Sequence, residues 1–286
     1  MAEPRIRSAL LVGDARKGGT AEVVSGHSDW LRARGVQTDV VVDRDVPLDD
    51  RDGDVVVVWG GDGSLLAAAR RMAARQRPTL GINRGRLGFL TAFEDGESEQ
   101  ALQRLLDGSL CEDTRLMFEC DVRTAGTAEQ TVRGLNDVVI SRAGAGGMIV
   151  VRVRRGDAEL GTFRGDGVIV ATSTGSTAYS MAAGGPVLAP GLDAVVLTPL
   201  ASHALTARPV VLSLGEGLEL EVTETGDMPY AYCIVDGQVQ MKVTDGAAVS
   251  MRPAPVRFRH LVPSPRHFFD VLAAKFGFAG MARSRG

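Results

Sequence analysis

Cysteine is scarce in this chain: Cys111, Cys120 and Cys233 are three among 286 residues. An odd, widely spaced set excludes a disulfide framework and has no metal-ligand spacing, so the thiols read as buried or incidental in a reducing compartment. The four histidines are scattered, with no pair at zinc-site spacing, and no protein-built metal cage is expected. No run approaches the ~18 apolar residues of a membrane span. The opening Met1-Ala2-Glu3-Pro4-Arg5 lacks the apolar core of a secretory signal. The expectation is a cytoplasmic protein without a membrane partner. A positive surplus is missing too, and the net charge of −3 argues against a nucleic-acid partner. No glycine loop is followed by Gly-Lys-Ser/Thr, so a P-loop is excluded, and no lysine takes its role. What remains, 44% hydrophobic and 23% charged, suffices for one or two globular domains with sizeable cores.

Against those absences stands Gly60-Gly61-Asp62-Gly63-Ser64, directly behind Val55-Val56-Val57-Val58-Trp59. The β-branched run reads as a fully buried strand that the glycines end. Leu65-Leu66-Ala67-Ala68-Ala69-Arg70-Arg71-Met72 then has the composition of a helix start. Strand, glycine turn and helix N-terminus together leave backbone N–H groups free at a sheet end, where phosphates bind. An aspartate does not help an anion unless it holds a metal or accepts a proton, so Asp62 points to phosphoryl transfer. An ordinary tight turn would use the same residues.

The first third alternates strands, at residues 8–12, 36–42, 55–59 and 79–82, with helices. Thr20 is expected to cap the first helix, whose Val23, Val24, His27 and Leu31 share a face. A later helix over 97–106 closes at Gly108. This alternation predicts a parallel sheet with helices on both faces, an α/β domain over 1–113. Beyond it, short alternating strands at 119–122, 135–140, 148–153, 168–171, 194–198, 218–222, 231–235 and 239–243 predict an all-β, sandwich-like domain over 114–263. Residues 176–183 are the helical exception. The tail 265–278 reads as a helix with Phe268, Phe269, Leu272 and Phe276 on one face, docking back on the first domain within 264–286.

The richest polar stretch runs from Arg164-Gly165-Asp166-Gly167 through a buried strand into Thr172-Ser173-Thr174-Gly175-Ser176-Thr177-Ala178-Tyr179-Ser180. Ser176 or Thr177 suits a helix cap, but the hydroxyls exceed what one cap needs and suit a polar ligand such as a base or ribose. Arg164 can balance Asp166, hold a phosphate, or form a surface salt bridge.

These blocks resemble the NAD kinase family. The resemblance rests on Gly60-Gly61-Asp62-Gly63-Ser64, Gly81-Ile82-Asn83-Arg84-Gly85-Arg86-Leu87-Gly88-Phe89-Leu90, Leu135-Asn136-Asp137-Val138-Val139-Ile140, Asp166-Gly167, the hydroxyl block with Ala183-Gly184-Gly185-Pro186, Leu197-Thr198-Pro199 through His203 to Arg208-Pro209, and Val235-Asp236-Gly237-Gln238, all in family order. It implies an α/β first domain, a β-sandwich-like second domain and a site between them. It implies transfer of the ATP γ-phosphate to the 2′-hydroxyl of the adenosine ribose of NAD, with Mg²⁺ arriving on ATP and polyphosphate as an alternative donor. NADH or another adenosine-containing acceptor, or a nucleotide-binding regulator on the same scaffold, is the alternative. By the resemblance Asp62 is the general base, and Gly60, Gly61 and Gly63 admit the phosphates. Asn136 and Asp137 meet the adenosine, Thr177 and Ala178 line the adenine pocket, and Phe89 is its apolar wall. Asp166, Tyr179 and Ala201 face the nicotinamide. Arg164, Ser180, Ala182 and Gln238 complete the binding set. A homodimer or homotetramer is implied. The chain departs from the family pattern at Asp137, where glutamate is usual, at Ser173 in place of proline, and at Ser64 in place of threonine.

Overall fold

A computed structural model of the chain describes residues 6–85, 88–144, 146–204 and 206–277. It divides into two compact units, Met1–Thr114 with Phe258–Gly286, and Arg115–Arg257.

In the first unit β1 (Ser8–Val12), β2 (Gln37–Val41), β3 (Val55–Trp59) and β4 (Thr79–Asn83) form a parallel sheet in the order β4-β3-β1-β2, with the short β5 (Phe93–Glu94) parallel to β4. Parallel strands need crossovers, and α1 (Thr20–Arg32) supplies that from β1 to β2 and α2 (Asp62–Arg71) that from β3 to β4, while α3 (Ser98–Leu106) follows β5. The Val55–Trp59 run is buried at every residue, as its unbroken apolar sequence demands of a strand covered on both faces. Its odd members Val57 and Trp59 pack with Leu11, Val24, Leu80, Ile82, Leu102 and Leu105. Thr20 does not cap α1. Gly19, left-handed at φ 71, takes the cap position, and the Thr20 hydroxyl instead accepts Arg84 Nη1 at 2.6 Å.

The second unit is built from β6 (Cys111–Arg123), β7 (Gln130–Gly134), β8 (Asp137–Arg142), β9 (Ile149–Arg155), β10 (Ala158–Gly165), β11 (Gly167–Thr172), β12 (Ala194–Leu200), β13 (Val210–Ser213), β14 (Leu218–Glu224), β15 (Ala231–Val235), β16 (Val239–Val243) and β17 (Ala247–Val262). One sheet runs β13-β12-β11-β8-β15-β16, antiparallel throughout; β10-β9-β14-β17 is the second antiparallel run. Their inner faces share one core that includes Phe118, Val138, Ile140, Val151, Val170, Leu220, Cys233 and Val249. Cys120 and Cys233 are buried in that core as free thiols.

Sixteen-residue β17 is absent from the sequence reading because Pro253 and Pro255 interrupt its pattern. Both prolines lie beyond its ladder with β14, which ends at Met251. From Phe258 the strand belongs to the first unit, where His260 and Leu261 pair in parallel with Thr79 and Leu80 of β4. The helical exception is also shorter than expected: a 3₁₀ turn at Gly175–Thr177, then the four-residue α4 (Tyr179–Ala182), with no side-chain cap from Ser176 or Thr177.

The terminal helix α5 (His267–Phe276) packs within the first unit, its Phe268 ring 5.9 Å from that of Phe89. The expected aromatic face is not its buried face. His267, Phe268 and Val271 are buried, whereas Phe269 and Phe276 are 54% and 40% exposed. At 3.6 residues per turn Phe269 and Phe276 share a stripe turned about 100° from Phe268, and a ten-residue helix buries one stripe. Phe278 lies outside the described residues.

Candidate functional site

In the first unit β3 ends at Gly60, whose N–H still donates to Ile82 O at 2.9 Å. Gly61 is extended at the cap position, and Asp62 is the first residue of α2, where a carboxylate complements the helix dipole. Gly63, exposed, and Ser64 complete the first turn. The Asp62 carboxylate turns toward residues 88–91. Oδ2 accepts Phe89 N–H at 2.7 Å, and Oδ1 accepts Leu90 N–H at 3.0 Å and Thr91 N–H at 3.2 Å. Three amides fix both oxygens, and Oδ2, with one donor, keeps a lone-pair direction for a further proton. Gly88 makes the approach possible, since a Cβ there would lie 1.8 Å from Asp62 Oδ1.

A cation stands beside this loop. Lys17 Nζ, from the segment between β1 and α1, is 3.4 Å from Ser64 Oγ. Its neighbours are committed elsewhere: Arg16 binds Asp14 at 2.8 Å, and Arg84 binds Asp95 at 3.1 Å and Thr20. Among the described residues no carboxylate comes within ion-pairing distance of Lys17. Reading along the chain could not find it, because 47 residues separate Lys17 from Ser64. Phe89 meets Phe268 and lies under Lys275 Nζ, 5.3 Å from its ring centre.

The second unit holds a cavity of about 370 Å³ lined by Asn136, Asp137, Val139, Ser141, Ala178, Tyr179, Ile234, Asp236 and Gly237. That volume suits a nucleoside-sized ligand. Asp137, Val139 and Ser141 line it from one face of β8, by the two-residue period of a strand, and Ile234 is the partner of Val139 in the ladder with β15. Asp236 sits at φ 52 in the tight β15–β16 turn with Gly237 at φ 64. Its carboxylate accepts the N–H groups of Leu135, Asn136 and Asp137 at 3.0, 2.7 and 3.2 Å. Asp137 is 5% exposed, and its own carboxylate receives no donor among the described residues. Burial, and then the Asp236 charge, raise its pKa to about 7. Of the lining residues, Asn136, Asp137, Ala178 and Tyr179 were expected from the sequence. Val139, Ser141, Ile234, Asp236 and Gly237 were not, and the signal for four of them was strand alternation and the turn.

The hydroxyl block mostly serves the protein. Thr172 Oγ1 donates to Leu135 O at 2.6 Å, Ser173 to Pro190 O at 3.1 Å, Ser176 to Ser173 O at 2.7 Å and Thr177 to Thr174 O at 3.2 Å, while Ser180 pairs with Thr198 at 2.8 Å. Gly175 lets this loop close on Asn136, whose carbonyl oxygen would lie 2.1 Å from a Cβ there. The protons of Thr172, Ser173, Ser176 and Thr177 are therefore spent within the protein. Thr174 is the exception, its Oγ1 buried without a partner.

The remaining expected residues are spread over the second unit. Arg164 does not balance Asp166: Arg142 does, Nε to Oδ1 at 2.6 Å, while Arg164 reaches Glu224 at 3.6 Å on the surface. Tyr179 is 51% exposed at the cavity rim. Ala182 ends α4 exposed, and Ala201, also exposed, sits at φ 44 after β12. Gln238 follows the Asp236-Gly237 turn, outside the cavity lining.

Known proteins give this arrangement a context. The family model described as the ATP-NAD kinase N-terminal domain matches residues 20–110, and the ATP-NAD kinase C-terminal domain matches residues 135–262. The NAD kinase of Desulforamulus reducens is 38% identical over 225 residues, 78% of this chain and 76% of that protein. The NAD kinase of Azoarcus sp. is 34% identical over 291 residues, 97% of this chain and 98% of that one. Among solved structures, an NAD kinase from Archaeoglobus fulgidus in complex with ATP superposes with a TM-score of 0.75 at 26% identity, covering 93% of this chain and 97% of the other. Yeast NADH kinase complexed with NADH gives 0.86 at 19% identity over 97% and 89%, a likeness of fold.

Proposed function

The chain belongs to the NAD kinase family, and from that premise we infer that it transfers the γ-phosphate of ATP to the 2′-hydroxyl of the adenosine ribose of NAD, giving NADP. The observation that carries the assignment of residues is Asp62, a carboxylate fixed by three amides at the glycine-loop end of a parallel strand. A ribose hydroxyl is a weak nucleophile that loses its proton as it attacks phosphorus, and Asp62 Oδ2 accepts that proton. Gly60, Gly61 and Gly63 leave the loop open to phosphate, and Lys17 adds a positive charge beside Ser64.

The cavity bounded by Asn136, Asp137 and Asp236 binds adenosine, with Asp137 as acceptor for a sugar or base donor that it lacks within the protein. Tyr179, Asp166 and Ala201 serve the nicotinamide half, where the Arg142 pair restrains the Asp166 carboxylate. Among the described residues no group of three His, Cys, Asp or Glu could hold a metal ion. A divalent cation carried in on ATP would take its ligands from the phosphates and would supply neutralisation of their charge. No helix among the described residues is long and apolar enough to cross a membrane. The family resemblance supports a cytoplasmic homo-oligomer, whose assembly state light scattering on the purified chain tests.

The deciding assay follows NADP formation from NAD and Mg-ATP, with NADH and polyphosphate as competing acceptor and donor. The parent chain turns over NAD. Asp62→Asn loses about 10²- to 10⁴-fold in kcat while still binding NAD by calorimetry. Turnover of Asp62→Asn at the parental rate would remove Asp62 as the base.

A further inference from the structure

One of the three amides that hold Asp62 belongs to a peptide that is itself held from the last strand. His260 is fully buried, its ring stacks 6.0 Å from that of Phe258, and its backbone pairs with Thr79 in the ladder between β17 and β4. Nε2 lies 2.7 Å from the carbonyl oxygen of Leu90. A carbonyl oxygen only accepts, so Nε2 carries the proton. The peptide unit whose C=O meets His260 is the one whose N–H, on Thr91, donates to Asp62 Oδ1 at 3.2 Å. In a planar trans peptide the C=O and N–H point in opposite directions, so fixing one aims the other. Each bond also polarises the next along the series imidazole, peptide, carboxylate.

We propose that His260 is a positioning residue for phosphoryl transfer, holding the Leu90–Thr91 peptide so that its N–H stays on the Asp62 carboxylate. The proposal rests on the reading of Asp62 as the base. It makes residues 258–262 part of the machinery although His260 is fully buried. Through the Leu90 carbonyl, loss of the imidazole donor leaves a buried acceptor unpaired and lets the peptide rotate.

The test compares His260→Leu, which removes the donor, with His260→Gln, whose amide nitrogen can stand where Nε2 stood. In His260→Leu, kcat should fall roughly ten- to a hundredfold while the dissociation constant for NAD changes by less than about threefold. His260→Gln should regain most of the lost kcat. Nitrogen NMR of histidine-labelled parent protein should show His260 protonated on Nε2, a readout independent of how the variants fold. The proposal is overturned by parental kcat in His260→Leu, by a folded His260→Gln as slow as His260→Leu, or by a parent imidazole protonated on Nδ1 alone. Asp62→Asn runs in parallel. If that variant is active, the base reading fails; if it is inactive while His260→Leu is unimpaired, the positioning role alone fails.

Discussion

Two aspartates in this chain have opposite surroundings. Asp62, in the first unit, is partly exposed and collects the N–H groups of three consecutive residues. Asp137, in the second, is 5% exposed and receives no donor among the described residues. Three amides stand next to it, those of residues 135, 136 and 137, but all three point to Asp236. The first arrangement suits a group that must be ionised and held in one direction. The second suits a group whose missing donor arrives with a ligand, because a buried acceptor left unpaired is unfavourable until something fills it. On the proposed function, position is built into one carboxylate and affinity is reserved in the other.

The comparison breaks most sharply at Gly88. A Cβ there would stand 1.8 Å from Asp62 Oδ1, so in Gly88→Ala the carboxylate must leave its amides. We expect kcat to fall about a thousandfold, with NAD affinity, which we propose rests on the second unit, little changed. Steady-state kinetics with calorimetric NAD binding separates the two, and an unchanged kcat would show that the amide clamp does not set the base.

Next in size is the proton on Asp137. Its unfolded-state pKa is the ordinary 3.8 and its folded one about 7, so between those values the folded chain holds a proton that the unfolded chain has lost. Stability therefore declines as pH rises from 4 to 7 and levels off above, by about 4 kcal/mol for this group. Asp137→Asn removes that part of the decline. Urea unfolding of both proteins at pH 4.5, 6 and 8 should show the variant gaining on the parent with pH, and parallel curves would mean that Asp137 is not desolvated.

Asp236 sharpens the same contrast from the other side. Asp236→Ala strips three amides of their acceptor and should destabilise the second unit by about 1–3 kcal/mol, with weaker NAD binding and an intact chemical step. A loss confined to kcat, with NAD binding unchanged, would contradict it.

How much of this the sequence could announce depended on whether the cause was local. The Val55–Trp59 strand and the Gly60–Ser64 turn were legible because burial on both faces and a glycine break are written into adjacent residues. The hydroxyl block was legible as unusual but not in its use. Its side chains bond to Leu135, Pro190 and their own turn, and only coordinates show which acceptors lie within reach. Arg142 could not be told from Arg164 as the partner of Asp166, since both flank it at sheet distance and sequence adjacency favoured the wrong one. Strand β17 was hidden by prolines tolerated outside its β14 ladder. The His260 bond to Leu90 spans 170 residues and leaves no local trace.

Lys17 is the smallest test and the one that separates donor from acceptor. Its ammonium stands 3.4 Å from Ser64 Oγ, is exposed, and has no carboxylate partner among the described residues. An exposed charge beside phosphates acts through a screened field, not a fixed geometry, so its contribution is modest and sensitive to salt. Lys17→Ala should raise the KM for ATP about three- to tenfold at low ionic strength, less at high salt, with NAD affinity unchanged. Lys17→Arg keeps the charge and should stay near the parent. If Lys17→Ala instead altered the KM for NAD and left that for ATP alone, the charge would belong to the acceptor, and the division of labour between the two aspartates would have to be redrawn.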